Sequence, residues 1–295
     1  MKLFNIPITR YTIEFKAFVP MQLPDYAGSA LRGAFGHALK SIACLSASRN
    51  KGTCTCQPAE SCLYRQIFDP VPKELITQQR RQDVPPPLVV EAHGLPTFLQ
   101  AGEQAHFHIV LFGEMAHHQQ MIIQLAWQRA LAFGIGKQIP MNETQAELVS
   151  FSLCDQPEKY IEAKSQLKLS LATLVRLQHH GEFLRPENFT PQTFCWAIFR
   201  RYLTIAEVYS NLTIDEAFKQ NIYNHIQQVE GSANLEWVEW KRYSNRQKKA
   251  MNLDGLRGDI DLSNVSDELY YYLYLGQWLH VGKGVVFGLG QYLLR

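Results

Sequence analysis

The chain has 295 residues, of which 46% are hydrophobic and 19% charged, with a formal net charge of +2. These are globular values that exclude dominant disorder, and the length fits two domains of ordinary size. No apolar run approaches the roughly 18 residues of a membrane span, and the first residues meet charge and proline too soon for a signal peptide. We therefore expect a cytoplasmic protein with no membrane partner, whose 6 cysteines are thiols or metal ligands.

Hydrophobic periodicity in the first half predicts the order β-α-β-β-α-β. The predicted elements are a strand over 8–19, a helix over 28–43, strands over 87–92 and 105–112, a helix over 115–132 and a strand over 146–153. This order is that of the ferredoxin-like fold, in which a four-stranded sheet carries helices on one face.

The second half repeats the same order. The predicted elements are a strand over 166–177, a helix over 191–209, a strand pair over 237–243 and 250–262, a helix over 266–280 and a strand over 291–294. The prediction is an α+β protein of tandem ferredoxin-like (RRM-like) domains, 1–155 and 162–295, with a cysteine-rich insertion at 44–62 in the first and a glycine-rich loop at 282–290 in the second.

A Phe-Gly-aliphatic-Gly motif occurs once in each half, at residues 133–136 and 287–290. Glycine costs backbone entropy, so such a cluster indicates a positive φ or a close approach between backbones. Matching motifs in two halves favour a duplicated fold.

The first predicted helix has an unusual face. Leu31, Phe35, Ala38 and Ile42 form a buried stripe, whereas Gly33, Gly36, His37 and Lys40 share another face. Because interior glycines cost roughly 1 kcal/mol each, that face is predicted to lie close to another group. His37 is either a solvated side chain beside a packing face or a catalytic acid or base.

Four cysteines fall within 19 residues: Cys44, Cys54, Cys56 and Cys62. Four thiols suffice for a structural zinc site, although the Cys-x-Cys spacing is less usual than a separation of two to four residues. Plain reduced thiols are the alternative, and a catalytic metal is not expected.

A basic segment follows Trp237 and Trp240. Its cationic and aromatic residues are Lys241, Arg242, Tyr243, Arg246, Lys248 and Lys249. Cations neutralise phosphates while rings stack on unpaired bases, so the segment is predicted to contact nucleic acid, with a solvated hairpin as the alternative.

The C-terminal glycine-rich segment has the composition of an anion-binding loop. Gly282, Gly284, Gly288 and Gly290 are predicted to leave backbone N–H groups free for an anion, and Lys283 adds a charge. The spacing is neither a Walker loop nor a dinucleotide fingerprint, so a cradle for a polymer phosphate is favoured. His280 is a second candidate acid or base, or a packed histidine.

Together these segments resemble the CRISPR-associated endoribonucleases of the RAMP superfamily that process precursor CRISPR RNA. The resemblance rests on residues 31–36, on the insertion ending Cys62-x-Tyr64-x3-Phe68-x-Pro70, on residues 240–247 and on residues 279–290. These segments span nearly the whole chain.

The resemblance implies metal-independent cleavage of hairpin-forming CRISPR repeat RNA to guide RNA, leaving a 2′,3′-cyclic phosphate, with no cofactor in catalysis. It implies His37 as base, Lys40 or Arg32 as the cation and Tyr26 as an assistant, while His280 stays open as a partner or substitute. Other CRISPR effector subunits are implied partners. The alternatives are a non-catalytic guide-RNA-binding subunit of the same fold and a zinc-dependent interaction protein with purely structural glycine loops.

Overall fold

The computed structural model describes residues 6–44, 54–57, 61–70, 84–135, 144–158, 161–179, 181–210, 214–244 and 249–295, with backbone alone over 241–244 and 249–251. The chain divides into two compact units. One holds Met1–Gln156 with Val208–Ser210, and the other holds Pro157–Glu207 with Asn211–Arg295. Among the described helices, none combines the length and apolar character needed to cross a membrane.

The N-terminal unit is built on a four-stranded antiparallel sheet. Its elements are β1 (Ile8–Ala17), β2 (Met21–Gln22), α1 (Gly28–Ala43), α2 (Leu63–Ile67), β3 (Leu88–Glu91), β4 (Phe98–Leu99), β5 (Gln104–Phe112), α3 (Glu114–His118), α4 (Gln120–Phe133) and β6 (Ala146–Asp155). The sheet order is β3-β5-β1-β6, and β2 pairs separately with β4. The first strand therefore lies between the third and the fourth, as the ferredoxin-like fold requires.

The core of this unit lies between the sheet and two helices. Alternate residues of β1, such as Ile13 and Phe15, are fully buried, which is the pattern of a strand with one covered face. Phe35 of α1 stacks on Trp127 of α4 with ring centroids 4.7 Å apart, so the two helices cover the same face.

The C-terminal unit repeats this topology. Its elements are β7 (Leu167–Leu171), β8 (Gln178–His179), β9 (Glu182–Phe183), α5 (Pro191–Tyr209), α6 (Glu216–Gln227), β10 (Glu230–Val238), β11 (Lys241–Ser244), β12 (Lys249–Asn252), β13 (Gly255–Ser263), α7 (Asp267–Leu279) and β14 (Tyr292–Leu294). The sheet order is β10-β13-β7-β14, which matches the N-terminal sheet strand for strand. The prediction of tandem ferredoxin-like folds is confirmed.

The structure corrects three details of the prediction. The helix expected over 115–132 is divided into α3 and α4 at Gln119. The predicted strand pair is two separate ladders, β10 with β13 and β11 with β12. The ladders part because the Asp254 carboxylate, rather than a strand carbonyl, accepts the Trp240 N–H at 2.7 Å. Helix α6 was not predicted.

Candidate active site and nucleic-acid interface

Helix α1 presents His37 to solvent, while the predicted stripe turns inward. Leu31, Phe35 and Ala38 are buried, and Ile42 packs against the core while partly exposed. His37 is exposed, as a residue that meets a substrate must be. Lys40 lies three residues further on, and residues three apart are neighbours on a helix surface.

The two interior glycines of α1, Gly33 and Gly36, have different surroundings. A Cβ atom at Gly36 would lie 2.3 Å from the ring of Phe68, whereas a Cβ at Gly33 would meet nothing within 4 Å. The predicted close approach therefore takes place at Gly36, and the group that approaches is an aromatic ring of the same chain. The space over Gly33 is open.

The two cations of α1 contact the same segment. The Arg32 guanidinium lies 4.0 Å from the ring centroid of Phe68 and donates to the Phe68 carbonyl at 3.0 Å. The Lys40 ammonium lies 5.0 Å from the ring centroid of Tyr64 in α2. Arg32, which was predicted as an RNA-binding residue and as an alternative catalytic cation, is thus held by its own chain, and this favours a structural role. Lys40 lies beside His37.

Tyr26 is poorly placed as an assistant to His37. Its hydroxyl oxygen is buried, and burial, followed by the charge of Glu91, raises its pKa well above the usual range. Tyr26 lies before the first residue of α1, Gly28. The distance from Gly28 to His37 along the helix axis is about 14 Å, because each residue adds 1.5 Å. The geometry therefore favours a structural role for Tyr26.

His280 occupies a position that favours packing over catalysis. The residue is 0% exposed, and its Nδ1 lies 3.0 Å from the carbonyl oxygen of Leu289. Its backbone adopts φ +56°, a conformation that a non-glycine residue seldom holds without strong local support. The imidazole therefore ties the end of α7 to the glycine-rich loop.

The glycine-rich loop explains why these positions are glycine. Gly282, Gly284, Gly288 and Gly290 all have φ between +79° and +91°. A Cβ at Gly290 would approach the Val281 carbonyl to 1.9 Å. Positive φ and close backbone approach, the two reasons expected from sequence, are both present.

The backbone of the loop is largely bonded within the protein, which corrects the expectation of free N–H groups. Internal donors are the N–H groups of Val281, Lys283, Phe287, Gly288, Gly290 and Gln291. The N–H groups of Gly288 and Gly290 are thus not available to an anion in this conformation. The Lys283 side chain is exposed and is the part of the loop best placed to meet a phosphate.

Arg176 connects the two predicted RNA-binding elements. Its Nε donates to the Asp254 carbonyl and its Nη2 to the Asn252 carbonyl, each at 2.9 Å, at the base of the β11–β12 hairpin. Its own carbonyl accepts the Lys283 N–H at 2.9 Å. Sequence reasoning missed this residue, although a lone arginine in the apolar run 174–177 was a signal.

The basic segment forms the β11–β12 hairpin. Lys241 pairs with Asn252, Arg242 with Met251 and Tyr243 with Ala250, and Lys249 lies opposite Ser244. Arg246 and Lys248 lie outside the described residues, as does Gly136 of the first glycine motif. The backbone of 241–244 and 249–252 is thus a two-stranded hairpin, and nucleic-acid contact stays a prediction.

The four cysteines of the insertion converge. The Sγ atoms of Cys44, Cys54, Cys56 and Cys62 all lie within 4.8 Å of one another. The pairs Cys44–Cys56 and Cys54–Cys62 are each 3.7 Å apart at sulfur. Four thiolates around one zinc, with bonds of about 2.3 Å, would be about 3.8 Å apart, so this cluster could bind a metal.

The thiol cluster contains its own cation. The Arg65 Nη2 donates to the Cys54 carbonyl at 3.2 Å. Burial alone would raise the pKa of the Cys54 thiol, but hydrogen bonds from the Cys56 backbone and from the Cys44, Arg65 and Cys62 side chains lower it to about 6. Burial first, and then the side chains of Cys54 and Cys56, raise the pKa of the neighbouring Cys62 thiol to about 12, so Cys54 is the thiol of this pair that ionises readily. The thiolate is the form that binds a metal.

Comparison with solved structures confirms the fold over nearly the whole chain. A Cas6 product complex matches with a TM-score of 0.61 and 10% identity, covering 98% of this chain and 100% of that chain. Cas6 from Thermus thermophilus matches with a TM-score of 0.56 and 11% identity, covering 99% of each chain. A partial Cas6-RT-Cas1–Cas2 complex matches with a TM-score of 0.58 and 14% identity, covering 98% of this chain and 46% of that chain.

Comparison with family models assigns both halves. A model described as an N-terminal domain matches residues 5–171, and the model of the CRISPR-associated endoribonuclease Cas6 matches residues 169–292. No curated protein sequence matches the chain significantly. The Cas6 match supports endoribonuclease activity in CRISPR RNA processing. Residues 169–292 thus match the Cas6 family of CRISPR-associated endoribonucleases, and nearly the whole chain shares the fold of solved Cas6 structures.

Proposed function

We propose that this protein cleaves CRISPR repeat RNA without a catalytic metal ion, leaving a 2′,3′-cyclic phosphate, with His37 as the general base. The observation that carries the proposal is the position of His37. It is exposed on α1, next to the open space over Gly33 and one turn from Lys40. His280, the other candidate base, is fully buried.

The proposed reaction balances without a cofactor. The His37 imidazole takes the proton of a ribose 2′-OH, and the freed oxygen attacks the adjacent phosphorus. The bond from phosphorus to the 5′-oxygen breaks, and that oxygen takes up a proton as it leaves. General base catalysis of this kind contributes about 10²- to 10⁴-fold to the rate.

Lys40 supplies the positive charge that the reaction needs. Negative charge accumulates on the phosphate oxygens as the 2′-oxygen adds, and a preorganised cation stabilises that charge more than the ground state. Lys40 is fixed beside His37 by the ring of Tyr64, which limits the reorganisation required during the reaction. Arg32 acts on the site through Phe68.

RNA recognition is assigned to the C-terminal unit. The cationic residues of 241–249 and the exposed Lys283 would contact the backbone of a folded repeat, which proteins read by shape and phosphate position. Because Arg176 holds the hairpin base and the glycine loop together, these contacts would act as one surface.

The cysteine cluster is proposed to hold one structural zinc ion. Four thiols complete a tetrahedral site and leave no open position for a substrate, which is typical of structural zinc. Metal analysis of protein purified without chelator should give about one zinc per chain, since the cluster forms one tetrahedral site. Folded protein that contains no metal when purified without chelator would contradict this assignment.

The activity is tested by incubating the protein with repeat RNA in EDTA. We expect cleavage within the repeat, a 2′,3′-cyclic phosphate on the upstream product, and loss of cleavage when the 2′-OH at the cut is replaced by hydrogen. Tight binding without cleavage would support the non-catalytic guide-RNA-binding subunit instead. Cleavage of the 2′-deoxy substrate would contradict attack by the 2′-oxygen.

A further inference from the structure

We propose that the four-cysteine cluster and the segment 64–68 that follows it form part of the cleavage site. When the thiols hold zinc, segment 64–68 positions the catalytic face of α1, and Phe68 is the positioning residue through which the cluster acts. The inference rests on the function proposed above. It gives the metal a role in a reaction that uses no metal at the phosphate.

Segment 64–68 contacts α1 along a single row of residues on the helix surface. Arg32, Gly36 and Lys40 are spaced four residues apart, so they lie above one another on one side of α1. All three contact the segment 64–68: Arg32 and Gly36 meet Phe68, and Lys40 meets Tyr64. Segment 64–68 therefore covers this row.

The neighbouring row of α1 is open. Gly33, His37 and Ser41 are also spaced four apart, His37 and Ser41 are exposed, and a Cβ at Gly33 would meet no atom within 4 Å. The face that appears as one in the sequence is thus two rows, a covered row beside an open row. Segment 64–68 thus lies beside the row that carries His37.

The four thiols are placed to hold segment 64–68 against α1. Cys44 directly follows α1, and its N–H donates to the Lys40 carbonyl at 3.0 Å. Cys62 directly precedes α2. A metal bound by both would fix the start of α2 against the end of α1, and would seat Tyr64 and Phe68 on the covered row.

The Phe68 ring has a defined seat because Gly36 has no side chain. Phe68 stacks on Tyr64 with centroids 5.4 Å apart and lies 6.4 Å from Phe35 of the core. Removing the ring would take away the surface on which the Arg32 guanidinium stacks and would let the Tyr64 ring beside Lys40 shift. Misplacement of a catalytic group by about 1 Å can slow a reaction roughly 100-fold.

The first test separates a structural metal from a catalytic metal. Zinc is released from the full-length protein with a mercurial thiol reagent and chelator, the thiols are restored with reductant, and zinc is returned to half of the sample. Cleavage is measured under single-turnover conditions in brief EDTA, and RNA affinity is measured separately. We expect the stripped protein to cleave roughly 10- to 100-fold more slowly with nearly unchanged affinity, and returned zinc to restore the rate.

The second test addresses Phe68 with matched variants. Phe68→Ala should lower the single-turnover rate constant at saturating RNA while the dissociation constant changes little, and Phe68→Tyr should restore most of the rate. Gly36→Ala should lower the rate in the same way, because the added methyl group would displace the Phe68 ring. Alanine has a higher helix propensity than glycine, so the loss of rate would not come from a weaker helix. The control is Phe98→Ala, which removes a half-exposed ring of the same unit that lies on β4.

The outcomes distinguish this inference from the proposed function. If zinc-loaded wild-type protein does not cleave in EDTA, the proposed function is wrong and the inference falls with it. If the loaded and stripped proteins cleave at the same rate, or Phe68→Ala cleaves like Phe98→Ala, the inference alone is overturned. A loss of RNA affinity in step with the loss of rate would also overturn it, because a merely unfolded insertion or site would give that result.

Discussion

The two units have the same strand order but differ in where they depart from the shared fold. The N-terminal unit carries its long insertion after its first helix, between Ala43 and Leu88. The C-terminal unit instead extends its central hairpin with β11 and β12, and lengthens the turn between its last helix and last strand. The first departure places segment 64–68 against the helix that carries His37, and the second contains the basic sequence 241–249 and the glycine-rich loop. One fold used twice has thus acquired its proposed chemistry in one copy and its proposed recognition in the other.

The paired glycine motif shows the same divergence. In the N-terminal unit α4 ends at Phe133, and Gly134, with φ +96°, follows immediately as its cap. In the C-terminal unit α7 ends at Leu279, and the motif begins only at Phe287, the last residue of a short 3-10 turn. The two copies are therefore not equivalent in position, and the evidence for tandem folds is the strand order.

The largest predicted difference between the units appears at alkaline pH. Burial raises the pKa of Tyr202, Tyr272 and Tyr292 in the C-terminal unit above the usual range. Among the described residues of the N-terminal unit, Tyr26 has a raised pKa for the same reason. A raised folded-state pKa gives stability that is present below the unfolded value of about 10 and lost as the pH rises through the folded value. Between the unfolded and the folded pKa, each such tyrosine should lower the free energy of unfolding by about 1.4 kcal/mol per pH unit.

The C-terminal unit should therefore unfold first as the pH rises above about 10. Denaturant unfolding at neutral and alkaline pH, followed in variants that keep only Trp127 or only Trp278, would report on each unit. Equal loss of stability in both units would contradict the assignment.

The next effect sharpens the role of the glycine loop. Gly290→Ala introduces a methyl group that would lie 1.9 Å from the Val281 carbonyl at φ +79°. We expect the free energy of unfolding to fall by about 3 kcal/mol or more, because strain and a backbone clash add.

Gly181→Ala is the matched control for that variant. Gly181 lies in the same unit at φ +90°, and a Cβ there would meet nothing within 4 Å. Strain alone should cost about 1 kcal/mol. Denaturant unfolding measures both, and equal losses would show that close backbone approach is not what requires glycine at 290.

A smaller effect is expected at Arg176. Arg176→Ala removes the donors to the carbonyls of Asn252 and Asp254 and should lower the free energy of unfolding by about 2 kcal/mol. It should also weaken RNA binding by releasing the hairpin base. Arg257→Ala is the control, since its pair with Glu236 is exposed and worth about 0–1 kcal/mol. Unchanged hairpin protection from proteolysis in Arg176→Ala would contradict the linking role.

The smallest effect concerns Lys283. Lys283→Ala should leave stability unchanged but weaken RNA binding and reduce the salt dependence of affinity by about one phosphate contact. Binding titrations across a range of salt concentrations would measure this. The control is Lys168→Ala, an exposed cation of β7 in the same unit. If the two variants bind alike, the loop is a structural turn.

Local patterns predicted the elements well and the site only in part. Helices α1 and α5 were predicted with the bounds observed, since Gly28–Ala43 has a clear apolar stripe and Pro191 marks a helix start. Helix α6 was missed, although Asp215 caps it and Ile222 and Ile226 share its buried face. These are local signals that a closer reading of the sequence would use.

The rest depended on tertiary contacts. The burial of His280 follows from the way the glycine loop folds back over it, which spacing along the chain does not encode. The partner of Gly36 lies 32 residues further along the chain, in the insertion. Sequence therefore indicated that something lies against α1, and the fold identified it as Phe68.

The most direct measurement of the central claim is the single-turnover cleavage rate of His37→Ala in EDTA. General base catalysis predicts a rate about 10²- to 10⁴-fold below wild type, with RNA affinity nearly unchanged. His118→Ala, which removes an exposed helical histidine of the same unit, should cleave at the wild-type rate. Equal rates for the two variants would contradict the account.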